Sequence, residues 1–120
     1  MATMKRDFWA LVTGGSAVLI FSATAGMATE TYPDDPASIA SGLELAEIHC
    51  AVCHAVGRSD KSAQSGAPAF RDLSKRYPLS SLEESLAEGI VTAHDGMPEF
   101  AFESEDINAF LGYLTSIQVP

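Results

Sequence analysis

Apolar positions along the chain fall into four stretches, and three of them repeat at the spacing of a helix. Ile39, Leu43, Ala46 and Cys50 share one face of a helix beginning at Ser38 or Ser41, where Ser41 and Glu44 have capping-box spacing. In PLSSLEESLAEGIV, Leu82, Leu86 and Ile90 lie four apart, and Ser80 with Glu83 has the same box spacing. In SEDINAFLGYLTSI, Ile107, Phe110, Leu111, Leu114 and Ile117 line one face behind a Ser104 cap. Glu105 and Asp106 complement the positive end of that helix. Nothing alternates with the period of a strand, so the pattern predicts an all-α domain.

The fourth stretch, FWALVTGGSAVLIFSA, is different: it is almost continuously apolar and follows Lys5 and Arg6. With the small residues of ATAGMA behind it, this is the order of a secretory signal over residues 1–28, cleaved after Ala25 or, as we favour, Ala28. An uncleaved anchor is the alternative, but the run is broken by TGGS and is short of the roughly 20 apolar residues a membrane span requires. The expectation is an exported, periplasmic protein with no stable membrane insertion after cleavage. Residues 29–37, with two prolines and no apolar period, read as a flexible or extended lead-in to one domain over residues 38–120.

Removing residues 1–28 of 120 leaves 92, enough for one small core that needs additional support. Those 92 residues carry five cations and fifteen acids, which excludes nucleic acid as a natural partner. All five cations (Arg58, Lys61, Arg71, Lys75, Arg76) lie between positions 58 and 76, so charge is polarised along the chain.

The chemistry is concentrated in IHCAVCHAVG, Ile48 to Gly57. On a helical turn, residues three and four apart are neighbours, which places Cys50 beside both Cys53 and His54. The CxxCH spacing is a signature for covalent haem attachment, with two thiols bonding the porphyrin edge and the histidine reaching the iron. A redox dithiol, a disulfide or half a zinc site would also use CxxC. A thioredoxin-like motif wants a βαβ context, which is missing, and zinc would need further ligands, of which only His49 and His94 are imidazoles. HDGMPEF offers a second signal. Met97 is the only methionine after residue 28 and sits between Gly96, which accepts positive φ, and Pro98, which stops a helix. A thioether opposite an imidazole gives the His/Met ligation that raises haem potential.

Together these residues resemble the class I monohaem c-type cytochromes, small helical electron carriers, from about Ser38 to Ile117. The resemblance implies a small fold in which N- and C-terminal helices cross around one covalently bound haem c. It implies thioether attachment at Cys50 and Cys53, axial iron ligands His54 and Met97, and a Pro68 carbonyl that accepts the Nδ1 proton of His54. It also implies a helix crossing at Gly42, opposite Phe110 or Tyr113. Two departures matter: Ala46 stands where many relatives carry an aromatic residue, and the only tryptophan, Trp9, lies in the signal. Haem propionate partners would then come from Tyr77, Arg58 or Arg71. His49 is expected at the surface, pointing away from the iron, and His94 is an alternative ligand to Met97.

The function this implies is a one-electron carrier between redox proteins, monomeric, docking by electrostatics, and not an enzyme. A haem subunit of a larger dehydrogenase or oxidase is the alternative. A gas sensor or peroxidase would follow if the sixth ligand were labile.

Overall fold

A computed structural model describes residues 31–89 and 96–120, so the signal stretch, Ile90 and His94 lie outside the described residues. Three α-helices and one 3₁₀ helix make up its regular structure: α1 (Pro36–His49), the 3₁₀ helix Phe70–Lys75, α2 (Ser81–Glu88) and α3 (Ser104–Ile117). Among the described residues there is no strand, in agreement with an all-α fold. None of their helices is long and apolar enough to cross a membrane.

Helix starts turn on how the free N–H groups of the first turn are met; α1 and α3 begin earlier than expected, while α2 begins after Ser80 as expected but without its side-chain cap. Asp35 caps α1 by accepting from the amides of Ala37 (3.1 Å) and Ser38 (3.0 Å). Pro36 takes the first helical position, where a missing N–H costs nothing. The helix therefore begins two residues before Ser38, and Ser41 with Glu44 lies inside it rather than at its end. Hydrogen bonds from the Ser38 hydroxyl and amide hold the Asp35 carboxyl below the usual carboxylate range.

The capping box at α2 does not form either. Ser80 already has helical backbone angles (φ −58°, ψ −26°), whereas a side-chain cap needs an extended residue. Pro78 and Leu79 start the turn instead, accepting from the amides of Ser81 and Leu82, and the Ser81 hydroxyl donates to the Pro78 carbonyl (2.7 Å). Gly89, at φ 97°, ends α2. At α3 the cap position falls on Glu103, and Ser104 is the first helical residue.

Helix α3 is the centre of the core. It buries Ile107, Phe110, Leu111, Tyr113, Leu114 and Ile117, against which Ala46, Phe70, Leu73 and Leu86 pack. Its main neighbour is α1, which buries only the small residues Gly42 and Ala46 and can therefore approach closely. A Cβ on Gly42 would strike the carbonyl of Ala109 and lie 2.7 Å from Tyr113 Cβ. The expected crossing glycine is in place, and of its two proposed partners it is Tyr113 that it meets.

On the other side of α3, a Cβ on Gly112 would strike the Pro33 carbonyl, and Tyr32 packs against the core. Residues 31–34 of the lead-in, although without regular structure, are thus laid onto α3. Gln118 joins the end of α3 to the 3₁₀ helix. Its amide nitrogen donates to the carbonyls of Leu114 (2.7 Å) and Phe70 (2.9 Å), and its oxygen accepts from the Ser74 amide (2.9 Å).

Candidate functional site

At the end of α1 the helical ladder closes on one carbonyl. The amides of Cys53 (3.1 Å) and His54 (2.9 Å) both donate to Cys50 O, so the two thiols and the imidazole project from a single tight turn. Cys50 is buried, Cys53 is half-buried, and both are free thiols. Burial pushes the Cys50 thiol up to about 11, so it stays protonated near neutral pH. A redox dithiol needs one thiolate stabilised by positive surroundings, and Cys50 does not supply it. Among the described residues no three histidine, cysteine or acidic side chains form a group that could hold a metal ion, and His94, the other imidazole of the zinc reading, lies outside them.

The turn opens on a cleft of two adjoining lobes of about 240 Å³ and 140 Å³, which share Cys50, His54, Met97 and Phe100 in their linings. The larger lobe is completed by Cys53, Gln64, Ser65 and Pro98, the smaller by Pro68, Phe70, Tyr77 and Phe110. Neither lobe is lined by an Asp, Glu, Lys or Arg side chain. Such a lining suits a largely apolar ligand with few polar groups. Phe110, the other candidate for the helix crossing, faces this cleft. It meets Phe70 edge-on at a ring distance of 5.9 Å and Phe102 at 5.8 Å.

His54 is held in one tautomer. Its Nδ1 lies 2.8 Å from the Pro68 carbonyl. A carbonyl can only accept, so Nδ1 carries the proton and Nε2 of the neutral ring keeps a free lone pair. This is the contact expected between His54 and Pro68. The Phe70 ring, 5.1 Å from the imidazole, limits its rotation.

Met97 is half-buried and reaches the cleft from a loop whose preceding residue, Gly96, has φ 99°. At that angle a side chain would be strained, and the following proline fixes φ at its own position. Cys50, Cys53, His54, Pro68 and Met97, separated by up to 47 positions in sequence, therefore share one cleft.

Three expectations need correction. His49 is exposed but does not point away: it lines the larger lobe, with its ring 5.8 Å from Phe100 and 5.2 Å from Phe102. The cause is the segment before α3, which the Phe102 amide ties to Leu86 O (2.8 Å) and so lays beside the end of α1. Arg58 and Arg71 do not line the cleft. Arg58 donates to Ser116 O (2.9 Å) in the last turn of α3, where a helix offers unpaired carbonyls. Arg71 is bound to Asp60 (3.4 Å) and the Gly57 carbonyl (3.3 Å). Of the three propionate candidates only Tyr77 lines the cleft. Gln64 and Ser65, which sequence reading passed over, supply polar groups on the opposite lobe. The role of Tyr113 was also missed: its hydroxyl donates to the Val56 carbonyl (2.6 Å), two residues beyond His54. No family model, curated protein or solved structure matches the chain.

Proposed function

We propose that the cleft holds one haem c, attached through thioethers at Cys50 and Cys53 and ligated by His54 and Met97, and that the protein carries single electrons between redox partners. The observation that carries this reading is the meeting of two thiols, a tautomer-fixed imidazole and a lone thioether on one uncharged cleft. The donor set fits the group. His54 presents the lone pair of Nε2, Met97 offers a soft sulfur, and neither needs to lose a proton to bind iron. Haem supplies reversible one-electron chemistry. The chain's part is to fix the ligands, exclude water and donate the Nδ1 proton to Pro68 O, which raises the basicity of His54.

A covalent haem also answers the stability question raised by chain length, since it would fill space that so small a core leaves open. Export of the chain to the periplasm, a monomeric state and a role as carrier rather than enzyme belong to the same proposal. The test is a haem stain of the protein after denaturing electrophoresis and acid extraction. Thioether bonds keep the colour on the protein band; a colourless band from a correctly matured sample would overturn the assignment.

A further inference from the structure

Residues 55–57, immediately after His54, have partners for every backbone polar group. The Ala55 amide donates to Ser62 Oγ (2.9 Å), and the Ala55 carbonyl accepts from the Phe70 amide (2.9 Å). The Val56 and Gly57 amides donate to the two oxygens of Asp60, at 3.0 Å each. The Val56 carbonyl accepts from Tyr113, and the Gly57 carbonyl from Arg71. Short loops usually leave such groups to water; here side chains take five of the six.

The arrangement has a direction. Three contacts join segment 54–57 to segment 68–71 like rungs: His54 to Pro68, Ala55 to Phe70, and Gly57 to Arg71. Arg71 also grips Asp60, which holds the amides of the first segment, so the far end of the ladder is locked from both sides. Tyr113 fixes the middle of it to α3, with its phenol kept protonated because burial raises it above its ordinary value. The rung with chemical consequence is the first.

We infer that Asp60, Arg71 and Tyr113 are positioning residues for His54: they hold the Val56 and Gly57 backbone so that the imidazole Nδ1–H stays aligned on the Pro68 carbonyl. None of the three touches the ring. Their effect passes through the backbone, and it rests on the haem reading only for what His54 does once aligned.

Hydrogen exchange followed by NMR on the mature, haem-loaded protein tests this. In wild type, the His54 Nδ1 proton and the amides of Val56, Gly57 and Phe70 should exchange at one common rate, because one opening releases them all. Tyr113→Phe removes the hydroxyl but keeps the Cβ that meets Gly42. It should speed all four protons by roughly fivefold, the worth of one net hydrogen bond, leave the Ile39 amide at the start of α1 unchanged, and raise the reduction potential as His54 loses basicity. Asp60→Asn, which offers one acceptor where the carboxylate offers two, should do the same. If Val56 and Gly57 open faster in either variant while the His54 proton and the potential stay at wild-type values, the network braces the loop only and the inference is wrong. Should neither variant fold, a His54 proton that exchanges independently of the three amides in wild type overturns it equally, and a shared rate upholds it. A protein without covalent haem would sink the functional reading instead, visibly and separately, since the amide rates can still be compared.

Discussion

Gly42 and Tyr113 meet where α1 crosses α3, and no side chain larger than hydrogen fits on the α1 side of that contact. Glycine within a helix weakens it by roughly 0.5–1 kcal/mol relative to alanine, so a substitution judged by propensity alone would stabilise. The crossing reverses that sign. Gly42→Ala should lower unfolding free energy by about 1–3 kcal/mol, the usual cost of overpacking, measured by denaturant unfolding. Equal or greater stability would mean the helices can separate without loss.

Arg58 separates a structural role from a ligand role. Its hydrogen bond to Ser116 O places a cation at the negative end of α3, a contact worth about 0.3–1 kcal/mol. Arg58→Ala should cost about that much stability and leave the absorption spectrum and reduction potential as they were. A shift in potential with unchanged stability would put the guanidinium at the proposed haem after all.

Met97 is the test of the proposed haem ligation. Met97→Ala should lower the reduction potential and let the reduced protein bind carbon monoxide, while wild type resists it. Wild type that binds carbon monoxide as readily as the variant would favour a sensor or a peroxidase over a carrier.

Asp35 predicts the acid side of stability. Its carboxyl is held below its ordinary value by Ser38, so the charged form contributes stability that is complete above the unfolded pKa and fades as pH falls through the lower folded one. Asp35→Asn keeps an acceptor for the amides of Ala37 and Ser38 but does not titrate. Thermal unfolding of the variant should therefore vary less with pH below about 4. An unchanged pH profile would show that other carboxyls dominate the acid limb.

The parts of this structure legible in the sequence are those fixed by neighbours along the chain. The three helices follow from apolar repeats, whereas the crossing at Gly42 and the Pro68 contact to His54, which join distant positions, were expected only from the resemblance that the CxxCH turn suggests. Helix starts were less legible, because Ser41 and Ser80 satisfy a spacing rule whose partners Asp35 and Pro78 supply in three dimensions, and Ser104 falls one residue inside α3. The 3₁₀ helix at Phe70–Lys75 has no long repeat to reveal it and depends on Gln118, more than 40 positions away. His49, Arg58 and Arg71 were misplaced for the same reason: their partners come from α3 or from the segments beside it and after the CxxCH turn, and no local spacing announces them.

The charge distribution bears on docking. Three of the five cations are drawn into internal contacts, Arg58 with α3, Arg71 with Asp60 and Lys75 with Asp72 (3.1 Å), and no cation lines the cleft. Beside the cleft the exposed residues are of another kind. Ile48 (66% exposed) and Val52 (80% exposed) follow Glu44 at intervals of four, with Glu47 next to them, and Val52 itself lines the larger lobe. An apolar spot with acids at its border suits a redox partner that presents a basic patch, which acids would steer at low salt and lose as ions screen them. Stopped-flow electron transfer with the physiological partner, run against ionic strength, checks this. Reversing Glu44 and Glu47 to lysine should slow the low-salt rate by about tenfold and flatten its salt dependence. Reversing Lys61, Lys75 and Arg76 to glutamate should leave the rate unchanged or raise it, because those side chains lie away from the lining of the cleft. A steep fall in that second variant would mean the partner is acidic and approaches the opposite pole.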